Sequence, residues 1–118
     1  MRDIAEGVRL FNDGLFFEAH EAWEHQWLRA ADPDDKEFLQ SLIMIAGALH
    51  HWTKKEYAGA VKLLAKSASK LEKLAAYRGN IDLQGLKDGV LDLAEKMSGC
   101  APCVTEQDLP RIRERAAA

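Results

Sequence analysis

A chain of 118 residues, 47% hydrophobic and 30% charged, suits one domain with a real core, and with only 3 prolines and 8 glycines it is neither fibrous nor disordered. Its formal net charge of -3 supplies no general pull toward nucleic acid or an anionic membrane. The longest apolar run, LIMIAGAL at 42–49, falls far short of the roughly 20 residues of a membrane span, and MRDIAEGV puts charges where an export signal would be apolar, so a cytoplasmic protein is expected.

Three- and four-residue spacing recurs along the chain, and alternation of the strand type does not persist. The spacing predicts a first helix from about Asp3 to Asn12, with Ile4, Val8 and Phe11 on one face. Asn12-Asp13-Gly14 should break it and cap a second helix running to about Ala30. Asp32-Pro33 reads as the N-cap and first position of a third helix ending near Trp52. A fourth is expected from about Glu56 to Tyr77, stopping at Arg78-Gly79-Asn80. A fifth should begin after Asp82, bury Leu83, Leu86, Val90, Ala94 and Met97, and end at Gly99. PRIRERAAA at the end reads as a short helix or a loose tail. The expectation is an all-α, single-domain bundle of about five mostly antiparallel helices over residues 1–99, with residues 100–118 as a C-terminal tail.

The second helix carries the unusual chemistry. A helix turns about 100° per residue, which puts Phe16, Ala19 and Trp23 on a core seam with Trp27 close beside it. Glu18, Ala22, His25 and Arg29 fall on the solvated side. Between them runs a stripe of Phe17, His20, Glu21, Glu24 and Leu28, apolar at its ends and charged in its middle. The third helix is apolar nearly all round, as a central helix is, except for Gln40 and His51 on the side of Met44 and Gly47. Folding the two helices as a hairpin puts Gln40 at the level of Glu24, Gly47 near His20, and His51 slightly beyond.

His20, Glu21, Glu24, Trp27, Gln40 and His51 therefore form a candidate polar pocket between helices two and three. Three readings fit it: a buried hydrogen-bond network, a pocket for a small molecule or protein segment, or a metal site using His20, Glu24 and His51. Two histidines and a carboxylate are a recognised set for zinc, manganese or iron. Gln40 and His51 are about 16 Å apart along the helix axis, so both cannot reach one ion. HEAWE is not the zincin motif, since Glu24 stands where a second histidine would be. A binding or interaction module is the leading expectation and a metal-dependent hydrolase the alternative, because no nucleophile lies beside the set and hydrolysis would need an activated water.

Lys62, Lys66, Lys70 and Lys73 align on the fourth helix, opposite Leu64, Ala68, Leu71 and Ala75. Without interleaved arginines or aromatics this is a solvated face, and nucleic acid is disfavoured as a partner; a homo-oligomer stays open. Cys100 and Cys103 lack a second ligand pair for zinc and a strand-to-helix setting for redox work, so reduced, incidental thiols are expected.

FNDGLFFEAHEAWEHQW, then FLQSLIMIAGALHHW and YAGAVKLL, resembles the DUF309 family of small helical proteins over about residues 8–68. The family pattern falls on Phe11, Asn12, Gly14, Glu18, His20, Glu21, Glu24, Trp27, Gln40 and His51. The resemblance implies an all-α fold and no established biochemical activity. Ser41 stands where the family has glycine, Met44 where it often has glutamine, and Lys55-Glu56 where Gly-Asn is typical.

Overall fold

Asp32 decides where the central helix begins. Its carboxylate accepts the backbone N–H groups of Asp34 at 2.7 Å and Asp35 at 3.3 Å, and Pro33 fills the first helical position. The structure is a computed structural model that describes residues 4–74 and 80–114. It contains α1 (Ala5–Asn12), α2 (Phe16–Arg29), α3 (Pro33–Thr53), α4 (Tyr57–Lys73) and α5 (Leu83–Gly99), then two single 3-10 turns, Ala101–Cys103 and Glu106–Asp108. No strand occurs among the described residues, and the all-α single-domain expectation holds. The expected stop of α4 at Arg78-Gly79 lies outside the described residues.

Helix α3 is the axis of the bundle. Phe38, Leu39, Leu42, Ile45, Ala46, Ala48 and Leu49 are fully buried along it. Such a helix must be flanked on more than one side, and the short links on either side of it place α2 and α4 there as antiparallel neighbours. Contacts at both ends confirm the directions. Lys36, at the start of α3, donates to the carbonyl of Trp27 near the end of α2 (3.0 Å) and sets its ammonium 4.4 Å over the Trp27 ring. At the other end Phe17 stacks against His50 with ring centroids 5.4 Å apart. Between α3 and α4, Glu37 pairs with Lys70 at 2.8 Å.

Helix α1 closes one side of α2. Gly7 lies directly under the indole of Trp23, so that a methyl group there would collide with the ring. Trp23 Nε1 donates to the carbonyl of Ile4, and Phe11 packs edge-on to Phe16 at 5.3 Å. Gly14 turns the chain with φ of +84°, a left-handed conformation that only glycine adopts without strain.

Asn12 departs from expectation. It does not cap α2, whose N-cap is Leu15 with no side-chain bond. Its amide instead grips the tail: Nδ2 donates to the carbonyl of Ile112 and Oδ1 accepts the N–H of Ile112, both at 2.9 Å. A carboxamide presents one donor and one acceptor, which matches a single peptide unit on both counts. The tail is accordingly neither a helix nor loose as far as Glu114. It runs extended past α5, buries Ile112, and lets the Asp82 N–H donate to the carbonyl of Arg113 at 3.0 Å. Upstream, Thr105 and Asp108 form a capping box, and Lys96 on α5 holds Asp108 at 2.7 Å. The residues after Glu114 lie outside the described ones.

The cysteines also differ from expectation. They are joined, with an S–S distance of 2.02 Å, rather than present as two thiols. Helix α5 ends at Gly99, and the 3-10 turn holding Pro102 brings the two Cα atoms to 5.3 Å. Sulfurs bonded to each other are not thiolate ligands, so this structure offers no zinc half-site there.

Two consequences are measurable. Gly7→Ala gains about 1 kcal/mol of helix propensity, but overpacking against a rigid ring costs about 1–3 kcal/mol. We expect a net loss of roughly 1 kcal/mol, read by urea denaturation. Asp108, bonded first by Lys96 and then by the Thr105 N–H, has its carboxyl pKa held below the ordinary 3.8. A depressed carboxyl contributes stability above its unfolded pKa and loses it as pH falls through the folded one. The urea midpoint of the wild type should therefore fall below about pH 4, and less steeply in Asp108→Asn.

Candidate functional site

The second helix divides much as its spacing implies. Phe16, Ala19 and Trp23 are buried, Trp27 is half-buried, and Glu18, His25 and Arg29 are exposed. Along its flank toward α3, His20 is 29% exposed, while Glu21 and Glu24 keep more than half or half of their side chains in solvent. The His20 ring lies over Gly47, whose missing Cβ would stand 3.8 Å from His20 Cδ2 on one side and 3.6 Å from Leu63 on the other. The glycine thus lets α2 and α4 both approach α3 at one level.

His20 is the singular residue of this face. Its Nδ1 is buried, lies 3.5 Å from a carboxylate oxygen of Glu21 and 3.5 Å from one of Glu24, and makes no hydrogen bond. A polar atom so placed costs about 1–3 kcal/mol if nothing satisfies it. Donor atoms of His20, Glu21 and Glu24 all lie within 4.8 Å of one another. Their closeness follows from α2 alone, since residues one and four apart share a helix flank.

The other expected members are placed differently. Gln40 is half-buried on the outer strip of α3, together with Ile43, Met44, Gly47, His50 and His51. Trp27 serves the α2–α3 hairpin, with Lys36 bonded to its carbonyl and sitting over its ring. His51 turns toward α4: its Nδ1 lies 2.8 Å from a carboxylate oxygen of Glu56, and its ring packs 3.7 Å from where a Cβ of Gly59 would be. That hydrogen bond holds the Glu56 carboxyl pKa below its ordinary value. Among the described residues, the group near enough to share an ion contains Glu21 where the sequence suggested His51.

Two features of this face escaped the sequence. Glu56 was not recognised as the partner of His51, although a histidine five residues before a glutamate across a helix break is a readable signal. The stacking of Phe17 on His50 joins helices far apart along the chain, and nothing local announces it. A cavity of about 400 Å³ also opens at Trp52, between the α1–α2 turn and the tail, with Asp13, Glu106 and Arg111 in its walls. His51 is not among its lining residues. The lysine stripe of α4 is mostly solvated, with Lys62, Lys66 and Lys73 exposed and Lys70 committed to Glu37.

A family model described as a domain of unknown function (DUF309) matches residues 4–63. The chain belongs to that family. The DUF309 region takes in α1, α2, α3 and the first turns of α4, and so contains His20, Glu21, Glu24, Gln40, Gly47 and His51. No curated protein matches the chain. No helix among the described residues is long and apolar enough to cross a membrane.

The departure from the family pattern at the α3–α4 turn has a structural cost. Lys55 occupies the left-handed region with φ of 63°, at the position where DUF309 sequences typically carry glycine. An L-residue there costs roughly 1–2 kcal/mol, part of which is offset by the greater unfolded-chain freedom of glycine. Lys55→Gly should raise stability by about 0.5–1 kcal/mol, seen as a higher thermal midpoint.

Proposed function

We propose that this DUF309 chain is a binding module, and that its ligand at His20 is a divalent cation of the zinc, manganese or iron kind. The observation that carries the reading is the buried, unbonded Nδ1 of His20 between two carboxylates. A cation there would use the nitrogen lone pair and neutralise Glu21 and Glu24 together. One nitrogen and two carboxylate oxygens suit borderline to hard ions. Ligand bonds of about 2.0–2.2 Å need donor atoms no more than about 4.4 Å apart, so a spread of up to 4.8 Å asks for small side-chain adjustments only. The half-exposed carboxylates would leave the remaining coordination positions to water, or to a group of a small molecule or protein partner.

A hydrolase built on His20, Glu24 and His51 has less support. His51 Nδ1 is engaged by Glu56, and the described ion-sharing group does not include it. The binding reading needs only the three residues of α2.

Calorimetric titration of tag-free protein with Zn²⁺ and with Mn²⁺ tests it. One site per chain is expected, weakened at least about tenfold in Glu24→Gln, on the scale by which even a supporting residue tunes metal affinity. Leu28→Ala should leave it unchanged. Absence of binding by either ion, or equal binding by Glu24→Gln, would remove the proposal.

A further inference from the structure

The outer strip of α3 remains half-covered even though α3 is the centre of the bundle. Ile43, Met44 and Gly47 form its floor, and the walls are of opposite charge. On the α2 side stand the carboxylates of Glu21 and Glu24, and on the α4 side the exposed ammonium of Lys66. Phe17 and Leu28 on the α2 rim are 50% and 66% exposed, two of the four most exposed large hydrophobic residues.

The levels of these groups are set by Gly47. His20 and Leu63 both stand beside it, and α2 and α4 both run antiparallel to α3. One turn onward along each brings Glu24 and Lys66 to a common level on opposite walls. A two-fold axis parallel to α3 keeps levels and exchanges walls. It therefore lays Glu24 of each copy on Lys66 of the other, and floor on floor. We infer that the α2–α3–α4 face is an interface for a second copy of this chain, arranged about such an axis.

The face is large enough. Helices spaced by roughly 10 Å, with α3 about 30 Å long, give a patch of roughly 20 by 30 Å before side-chain relief is counted, near the ~800 Å² per partner of a standard interface. Exposed charge pairs contribute at most about 1 kcal/mol each, so the apolar floor and rim supply the affinity and the charges set the register. Met44 is the kind of side chain that adapts to a facing copy. The small net charge of -3 opposes self-association weakly. The inference stands apart from the cation site, and its test is run in chelator so that either can fail alone.

Sedimentation equilibrium in EDTA, from about 1 μM to 1 mM protein, should show a closed monomer–dimer equilibrium that salt weakens. Because the axis makes every substitution count twice, Lys66→Glu, Glu24→Lys and Leu28→Asp should each raise the dissociation constant at least about tenfold. All three positions are exposed, and unchanged circular dichroism will show that the variants fold. The double variant Glu24→Lys with Lys66→Glu restores the charge match and should recover dimerisation. A monomer throughout would overturn the inference and leave the face to a different partner. So would an open series of oligomers, a dimer indifferent to the single substitutions, or a double variant that does not recover.

Discussion

An apolar helix that cannot face water governs this bundle. Phe38, Leu39, Leu42, Ile45, Ala46, Ala48 and Leu49 cover more than half the circumference of α3, and the hydrophobic effect leaves no arrangement in which a single neighbour shields them. Helices α2 and α4 are held beside it by short links, and their own apolar seams complete the burial. What remains is one strip, from Gln40 to His51, that the chain's own elements cover only in part. Each functional idea about the protein concerns that strip.

Gly47 shapes the strip more than any side chain on it. A glycine within a helix costs about 1 kcal/mol relative to alanine, and here the neighbours supply the compensation. The His20 ring and the end of Leu63 settle into ordinary van der Waals range of the place a Cβ would take. Their approach buries one ring nitrogen of His20 while leaving the carboxylates of Glu21 and Glu24 half in water. Packing has in this way produced a nitrogen atom that lacks a partner beside two charged groups that have capacity to spare. A bundle selected for stability alone has no use for that combination.

Beyond the strip, the chain is tied together by pairings across long sequence distances. Asn12 grips Ile112, Trp23 covers Gly7, and Lys96 holds Asp108. The first two fix α1 and the tail around the buried corner of Phe11 and Phe16, so the end opposite the α2–α3 link has its own small core. The cavity at Trp52 lies within this corner. The α3–α4 turn is the least comfortable part of the described backbone, with Lys55 in a conformation suited to glycine and Glu56 engaged by His51.

What could be read from the sequence were the features whose causes are local. Helical spacing, the Asp32-Pro33 start and the glycine at 14 marked out the elements, because capping, ring constraint and left-handed geometry act within a few residues. The inward lean of His20 and Glu24 and the level of Gly47 against His20 also followed, since a short hairpin link leaves only one register to count from. His51 was misjudged as a companion of His20 because side-chain direction at a helix end depends on which neighbour offers a partner, and Glu56 did. The clamp of Asn12 on the tail, the stacking of Phe17 on His50 and the joining of Cys100 to Cys103 were decided only in three dimensions. A hydrogen bond or ring contact selects among all groups brought within a few ångströms, and which groups those are is known only after the helices have packed.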